Sequence, residues 1–364
     1  MKLRFAFLIL SLGLLSAAAG AQEAASVVYT DASAFPLFGK ATPETAARYQ
    51  RFPASFEEVS REPLWQLSQN STGLYLRFRS DAPGIYARWF NRGFHMPHMT
   101  DVGVGGLDLY AFIDWKWRFV GSGFTWDGEN PHERRIVGNM QPAMREYMLY
   151  LPLYDCLDSL EIGVPEGYAL LEPALPSPKA ERPVVMYGTS ILQGGCASRP
   201  GMAHTAILSR ALDREVINLG FSGNALLDLE VAELIAGVKD PAVVVLDYVP
   251  NASATQIDEV GETFFRIIRE AHPHVPVIFV EDPIYPHTIV DQAIAGEVAK
   301  KNAAQAALFQ RLVSAGEKGL FYVPGEGMIG TDGEATVDGY HFTDLGMMRY
   351  VEHLLPVVRR AMEE

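Results

Sequence analysis

The apolar positions of this chain change rhythm about half-way along it. Before residue 175 they fall in short runs at 74–78, 85–89, 107–113, 115–119, 147–151 and 160–164. Turn-forming strings such as Asp81-Ala82-Pro83-Gly84 and Gly121-Ser122-Gly123 separate them. Short runs punctuated in this way predict an antiparallel β-sandwich. Beyond residue 183, near-continuous apolar runs occur at 184–187, 216–219, 243–249, 275–280 and 320–323, as in strands covered on both faces. Helical stretches lie between and after them, around 202–212, 227–235, 257–271, 291–315 and 343–361. That alternation predicts an α/β fold, a parallel sheet between helical layers. Pro173, Pro176, Pro178 and Pro183 cluster at the change of rhythm. They predict a linker over 176–182, joining a β-sandwich domain at 22–175 to an α/β domain at 183–364.

Residues 1–21 stand apart from both. Lys2 and Arg4 precede an apolar stretch from Phe5 to Leu15, and Ala19-Gly20-Ala21 places small residues before Gln22. A charged start, a short apolar middle and a small-residue end describe a secretory signal peptide. The stretch falls short of the roughly 20 residues that a membrane span needs. A secreted or periplasmic protein is therefore expected, without integral membrane association. A formal charge of −14 over 364 residues opposes binding to nucleic acid or to an anionic membrane surface. Hydrophobic residues, at 48%, supply enough core for two units. Export permits disulfides, but Cys156 and Cys196 allow one bridge at most, and two buried thiols are the alternative.

Two strings in the second half carry chemistry. Gly188-Thr189-Ser190 follows the first apolar run there, and Asp338-Gly339-Tyr340-His341 precedes the last helical stretch. In an open parallel sheet, functional residues gather beyond the carboxyl ends of the strands. A hydroxyl becomes a nucleophile when an imidazole takes its proton and a carboxylate orients that imidazole. Ser190, His341 and Asp338 are the candidate catalytic group. The strings from Asn218 to Asn224 and from Asp247 to Asn251 end the second and third strand runs at the same sheet edge. Acyl transfer also needs donors for the developing oxyanion. The N–H group of Gly223 and the side-chain amide of Asn251 are the candidates. Asn251-Ala252-Ser253 also fits a glycosylation acceptor.

These four blocks, in this order, resemble the SGNH (GDSL-type) hydrolases from about Pro183 to the C-terminus. The resemblance implies a three-layer α/β/α, flavodoxin-like domain with Ser190 as nucleophile, His341 as base and Asp338 as its orienter. It likewise implies an oxyanion hole from Ser190, Gly223 and Asn251. Thr189 stands where the family name expects Asp, and Val249-Pro250-Asn251-Ala252 replaces Gly-x-Asn-Asp. Gly106-Leu107-Asp108-Leu109-Tyr110 resembles the Gly-x-Asp-Leu-Tyr motif of a β-rich domain preceding one branch of that family. Members of that branch include esterases and acyl-transfer enzymes, some acting on acylated carbohydrates. A secreted serine esterase is implied, removing short acyl groups such as acetyl from carbohydrate. The alternatives are an acyltransferase using the same residues, or an inactive carbohydrate-binding protein. No cofactor or metal is expected. The partner is a small-molecule or oligosaccharide ester, and the oligomeric state stays open.

Other residues have two readings each. Ile113, Trp115, Trp117 and Phe119 would share one face of a continuous strand. A core or interface face is expected there ahead of a sugar-stacking platform. His95 and His98 suggest metal ligands, without a third in convincing spacing. Cys196, six residues after Ser190, is a competing nucleophile. His204 is expected to be structural and Asp282 to hydrogen-bond a neighbouring loop. Arg199 forms an ion pair or holds an acidic substrate group.

Overall fold

The computed structural model describes residues 26–126 and 129–363, so the signal peptide expected at 1–21 lies outside the described residues. The first half contains β1 (Val27–Asp31), β2 (Leu37–Phe38), α1 (Glu62–Ser68), β3 (Tyr75–Ser80), β4 (Ile85–Asn91) and α2 (Asp101–Gly105). It continues with β5 (Leu107–Ile113), β6 (Lys116–Gly123), β7 (His132–Val137), β8 (Arg145–Tyr150), β9 (Leu157–Pro165) and β10 (Leu170–Leu171). One sheet has the order β1-β9-β4-β7; the other runs β10-β3-β8-β5-β6, with β2 beside β3. Successive side chains on a strand face opposite ways. Leu76, Phe78, Leu109 and Leu149 of one sheet thus meet Ala87, Trp89, Leu160 and Ile162 of the other in a shared core. This is the expected β-sandwich.

Four of its strands lie outside the apolar runs, β1, β2, β7 and β10, and of these β1 and β7 are the edges of the first sheet. β7 reads His-Glu-Arg-Arg-Ile-Val, and Glu133 pairs with Arg88 of β4 at 2.9 Å. Charge along an edge blocks further strand pairing. The stripe expected over 113–119 is broken. Asp114 and Trp115, with φ of 52° and 62°, form the two-residue turn of the β5–β6 hairpin, pairing Ile113 with Lys116. Trp115 is 89% exposed at the tip, while Trp117 packs toward Tyr75, Tyr110 and Tyr150.

The second half contains β11 (Lys179–Gly188), α3 (Ser190–Gln193), α4 (His204–Leu212), β12 (Arg214–Gly220), α5 (Leu229–Ala236) and β13 (Val243–Asp247). It ends with α6 (Ala254–Ala271), β14 (Val277–Val280), α7 (Gln292–Ser314), β15 (Leu320–Val323) and α8 (Asp344–Met362). The five strands pair in parallel in the order β12-β11-β13-β14-β15. Alternate residues of β11 feed two layers. Val184 and Met186 pack with Leu208 of α4 and Leu354 of α8. Val185 and Tyr187 pack with Phe264 of α6 and Leu308 of α7. The result is the expected α/β/α arrangement. β11 begins inside the stretch read as a linker, because Lys179 already pairs with Arg214 before a register shift that precedes Val184.

Strand order reverses at β11, whose neighbours are β12 on one side and β13 on the other. Such a switch opens a crevice at the carboxyl ends of the strands. The two halves share more than the chain. The outer face of the six-stranded sheet presents Tyr75, Tyr110, Met148 and Tyr150 to Ala206 of α4. Arg210 of the same helix lies 4.3 Å from the Tyr110 ring centre and donates to the Tyr150 hydroxyl at 3.1 Å.

Asp247 ends β13 beneath the crevice, buried, and accepts from the Tyr350 hydroxyl at 2.7 Å. Burial pushes its carboxyl up to about 8, against the Tyr350 hydrogen bond. Above the ordinary value of 3.8 the unfolded chain ionises this group while the folded chain keeps it neutral. The group's contribution to stability is therefore present below about pH 4 and declines as pH rises toward 8. Asp247→Asn should remove that slope. Its melting temperature relative to the wild type should stand higher at pH 8 than at pH 5; an unchanging difference would contradict the assignment.

Candidate active site

Ser190 opens α3, a four-residue helix directly after β11. The Thr189 hydroxyl caps it, accepting from the Ile191 N–H at 3.3 Å. The helix folds back tightly over β12, where a Cβ on Gly220 would stand 2.3 Å from the Gln193 nitrogen. Ser190 is held there with only 8% of its surface exposed.

Asp338 and His341 occupy the loop before α8. Asp338 Oδ1 accepts the N–H groups of Tyr340 at 3.0 Å and His341 at 2.8 Å, a side-chain-capped turn. Its other oxygen, Oδ2, meets His341 Nδ1 at 2.6 Å. A spacing of three residues thus lets one carboxylate hold both the turn and the ring. Burial opposes the Asp338 charge, but the His341 ring and the two N–H groups outweigh it and hold the carboxyl down at about 2. An ionised Asp338 draws the imidazole proton to Nδ1, which leaves Nε2 as an acceptor. The Ser190 hydroxyl lies 2.8 Å from Nε2 and donates to it. Residues 151 positions apart therefore meet in one connected line.

Gly223 and Asn251 flank this line on two further strand-end loops. Gly223 has φ of 67° and open space around it, a left-handed position that suits glycine. The N–H of Ser222 donates to Gln193 Oε1 at 2.9 Å, tying the Gly223 turn to α3. Asn251 Oδ1 accepts from the Ala225 N–H at 3.3 Å, tying the same turn to the loop after β13. The amide oxygen of Asn251 is thus in use, and that bond leaves its NH₂ group free to donate. The Ser253 hydroxyl caps α6, accepting from the Gln256 N–H at 3.1 Å.

The N-terminal half braces α3, the loop that leaves it and the Gly223 turn. Arg51, fully buried, donates to the carbonyls of Gly220 at 2.7 Å, Leu67 at 2.6 Å and Asn70 at 3.1 Å. Arg61 donates to Asn224 Oδ1 at 2.9 Å and to Asp228 at 2.6 Å. The Tyr154 hydroxyl donates to the Ser190 carbonyl at 3.1 Å. Asp108, with no exposed surface, accepts from Arg199 Nη1 and from the Gly201 N–H, each at 2.7 Å. Arg199 also donates to the Tyr110 hydroxyl at 2.6 Å and lies over the Phe119 ring at 3.9 Å. The motif at 106–110 therefore clamps the loop that leaves α3. Arg51, Arg61 and Tyr154 went unnoticed in the sequence. Arg51 and Gly220 are 169 residues apart, and no local spacing announces a side chain that binds distant carbonyls.

A family model of GDSL-like lipases and acylhydrolases matches residues 181–359, and a model of the N-terminus of SGNH-hydrolase-type esterases, named GxDLY, matches residues 27–170. The solved structure of a GDSL-like lipase from Bacteroides ovatus ATCC 8483 is 36% identical, covering 93% of this chain and 98% of its own, with a TM-score of 0.88. The chain belongs to the GDSL-like lipase/acylhydrolase family. This GDSL-like hydrolase is accordingly an ester-hydrolysing enzyme. It shares its fold with a salicylyl-acyltransferase from a tetracycline biosynthetic pathway, at 19% identity over 94% of this chain and 97% of that one, TM-score 0.71. It also shares it with a family two carbohydrate esterase from Cellvibrio japonicus, at 11% identity over 93% and 99% of the two chains, TM-score 0.58. No curated protein matches the sequence.

In this GDSL-like hydrolase the remaining candidates take up other places. His95 Nδ1 sits 3.2 Å from Asp101 Oδ1, whereas the His98 ring centre lies 5.3 Å from that of His341. His204 is fully buried with Nδ1 at 3.4 Å from Met347 Sδ, and burial holds its ring down at about 3, so it is structural. Asp282 is buried 3.8 Å from Lys301, and its N–H donates to Asn302 Oδ1 at 2.8 Å. Cys156 and Cys196 are both buried free thiols. Burial and the Asp338 charge push the Cys196 thiol up to about 12, which makes it a poor nucleophile at neutral pH.

Replacing Arg199 by Ala would leave the Asp108 carboxylate buried without its cation. Chemical denaturation should show a loss of about 3–5 kcal/mol. A loss below about 1 kcal/mol, the level of an exposed pair, would contradict the clamp.

Proposed function

We propose that the protein is an exported serine esterase that removes short acyl groups, acetyl foremost, from carbohydrate. The observation that carries this reading is the line from Asp338 Oδ2 to His341 Nδ1 at 2.6 Å and from His341 Nε2 to Ser190 Oγ at 2.8 Å. Ser190 Oγ attacks the ester carbonyl as its proton passes to His341 Nε2, and the N–H groups of Ser190 and Gly223 and the Asn251 amide receive the oxyanion. The tetrahedral adduct collapses, and the alcohol leaves with the proton from Nε2. Water, activated by the same imidazole, then releases the acyl group and restores Ser190. Residues 22–175 and 183–364 would act as two domains, with residues 1–21 removed on export.

The carbohydrate assignment draws on a cleft of about 480 Å³ beside Tyr154, Ser222 and Asn224. Arg92, Gln66 and Phe94 also line it, a mixture suited to hydroxyl groups and to the apolar face of a sugar ring. The shared fold with a carbohydrate esterase from Cellvibrio japonicus points the same way. The fold shared with the salicylyl-acyltransferase supports a second reading, in which an acceptor alcohol replaces water in the last step.

The test compares wild type with Ser190→Ala on an aryl acetate and on acetylated oligosaccharides. Ser190→Ala should abolish turnover, Asp338→Asn should lower kcat about 10⁴-fold, and Asn251→Ala about 10²–10³-fold. Formation of a new ester when alcohol is added would favour the transferase. Absence of Ser190-dependent turnover on any ester would overturn the esterase reading and leave a carbohydrate-binding protein.

A further inference from the structure

His98 and Cys196 have no part in the acyl-transfer steps, yet both converge on His341. One ligand atom from each of the three residues lies within 4.8 Å of the others. We propose that His98, Cys196 and His341 form a binding site for a thiophilic divalent metal, Zn²⁺ above all, and that its occupancy switches the esterase off. The proposal rests on His341 being the catalytic base.

The donor set suits the ion. Two imidazoles and one thiolate are ordinary zinc ligands, at about 2.0–2.1 Å for nitrogen and 2.3 Å for sulfur. A tetrahedral ion with these bonds separates its donors by roughly 3.3–3.6 Å. Donors already within 4.8 Å need only small side-chain rotations to reach that spacing. The backbones that carry them are tied together close by. The Thr100 hydroxyl, two residues beyond His98, donates to the Ser198 carbonyl at 2.6 Å. The Cys196 N–H donates to the carbonyl of Phe342, next to His341, at 3.2 Å. Ser198 is fastened in turn to Asp344 through its N–H at 2.9 Å and its hydroxyl at 2.6 Å. Three ligands on cross-linked segments leave the fourth position to water.

Binding and catalysis exclude each other whichever ring nitrogen the metal takes. Nδ1 of His341 serves Asp338 and Nε2 serves Ser190. A metal on Nε2 removes the acceptor for the Ser190 proton, and a metal on Nδ1 displaces Asp338. The step is balanced: the Cys196 S–H bond breaks, its proton goes to solvent, and the sulfur and two neutral imidazole nitrogens each give a lone pair to Zn²⁺. No electron is transferred. The Asp338 carboxylate, 2.6 Å from His341 Nδ1, favours a cation at the same place.

Two measurements test the site separately from the esterase reading. Zn²⁺ is titrated into wild type, His98→Ala and Cys196→Ser during hydrolysis of an aryl acetate, followed by EDTA. The wild type should be inhibited and then restored by EDTA. Both variants should keep the basal rate and need at least about tenfold more Zn²⁺ for half-inhibition. Co²⁺ added to Ser190→Ala, which retains all three ligands, should give a thiolate-to-cobalt charge-transfer band that disappears when Cys196→Ser is added. Equal zinc sensitivity in the three proteins, or no such band in Ser190→Ala, overturns the proposal. Esterase activity that survives Ser190→Ala would instead overturn the catalytic reading, while the cobalt band still decides whether the metal site exists.

Discussion

A carboxylate with no exposed surface needs a cation, and Asp108 finds its cation on the loop that leaves α3, the helix of Ser190. Desolvation of Asp108 is costly unless Arg199 and the Gly201 N–H are both in place, so β5 and that loop fix each other's position. The rest of the site inherits this constraint. α3 cannot shift without pulling on Arg199, and Ser190 cannot shift without α3. Tyr154 holds the carbonyl of Ser190 itself. The β-sandwich thus helps to hold the Ser190 hydroxyl within 2.8 Å of His341 Nε2.

The parallel sheet contributes the other half of the arrangement. Its order reverses at β11, so Ser190 stands where the crevice opens, with the Gly223 turn on one side and the Asn251 loop on the other. Hydrogen bonds from Ser222 to Gln193 and from Ala225 to Asn251 join the three loops into one surface. In the proposed reaction, donors held in this way would stabilise charge without having to reorganise. The Asp338 turn completes the surface by a purely local device, one carboxylate capping its own turn while it orients the imidazole.

What could be read from the sequence followed from how local each feature is. The strand runs of the second half were plain because helices bury both faces of that sheet, which leaves unbroken apolar strings. Asp338 and His341 were plain because three residues separate them and the turn between them is self-contained. β7 was missed because an edge strand carries charge. Trp115 was placed on a strand face because alternation looks the same through a two-residue turn. The linker at 176–182 was overdrawn because prolines hid the backbone pairing of Lys179 with Arg214. Arg51 and Arg61 could not be seen at all, since their partners lie on loops that only the fold brings near.

In the proposed reaction His341 makes the Ser190 hydroxyl a nucleophile. Reaction of the protein with an alkyl fluorophosphonate, followed by intact mass and peptide mapping, tests it most directly. A single adduct is expected, located on Ser190 and lost in His341→Ala. No adduct in the wild type, or an adduct on another residue such as Cys196, would contradict it.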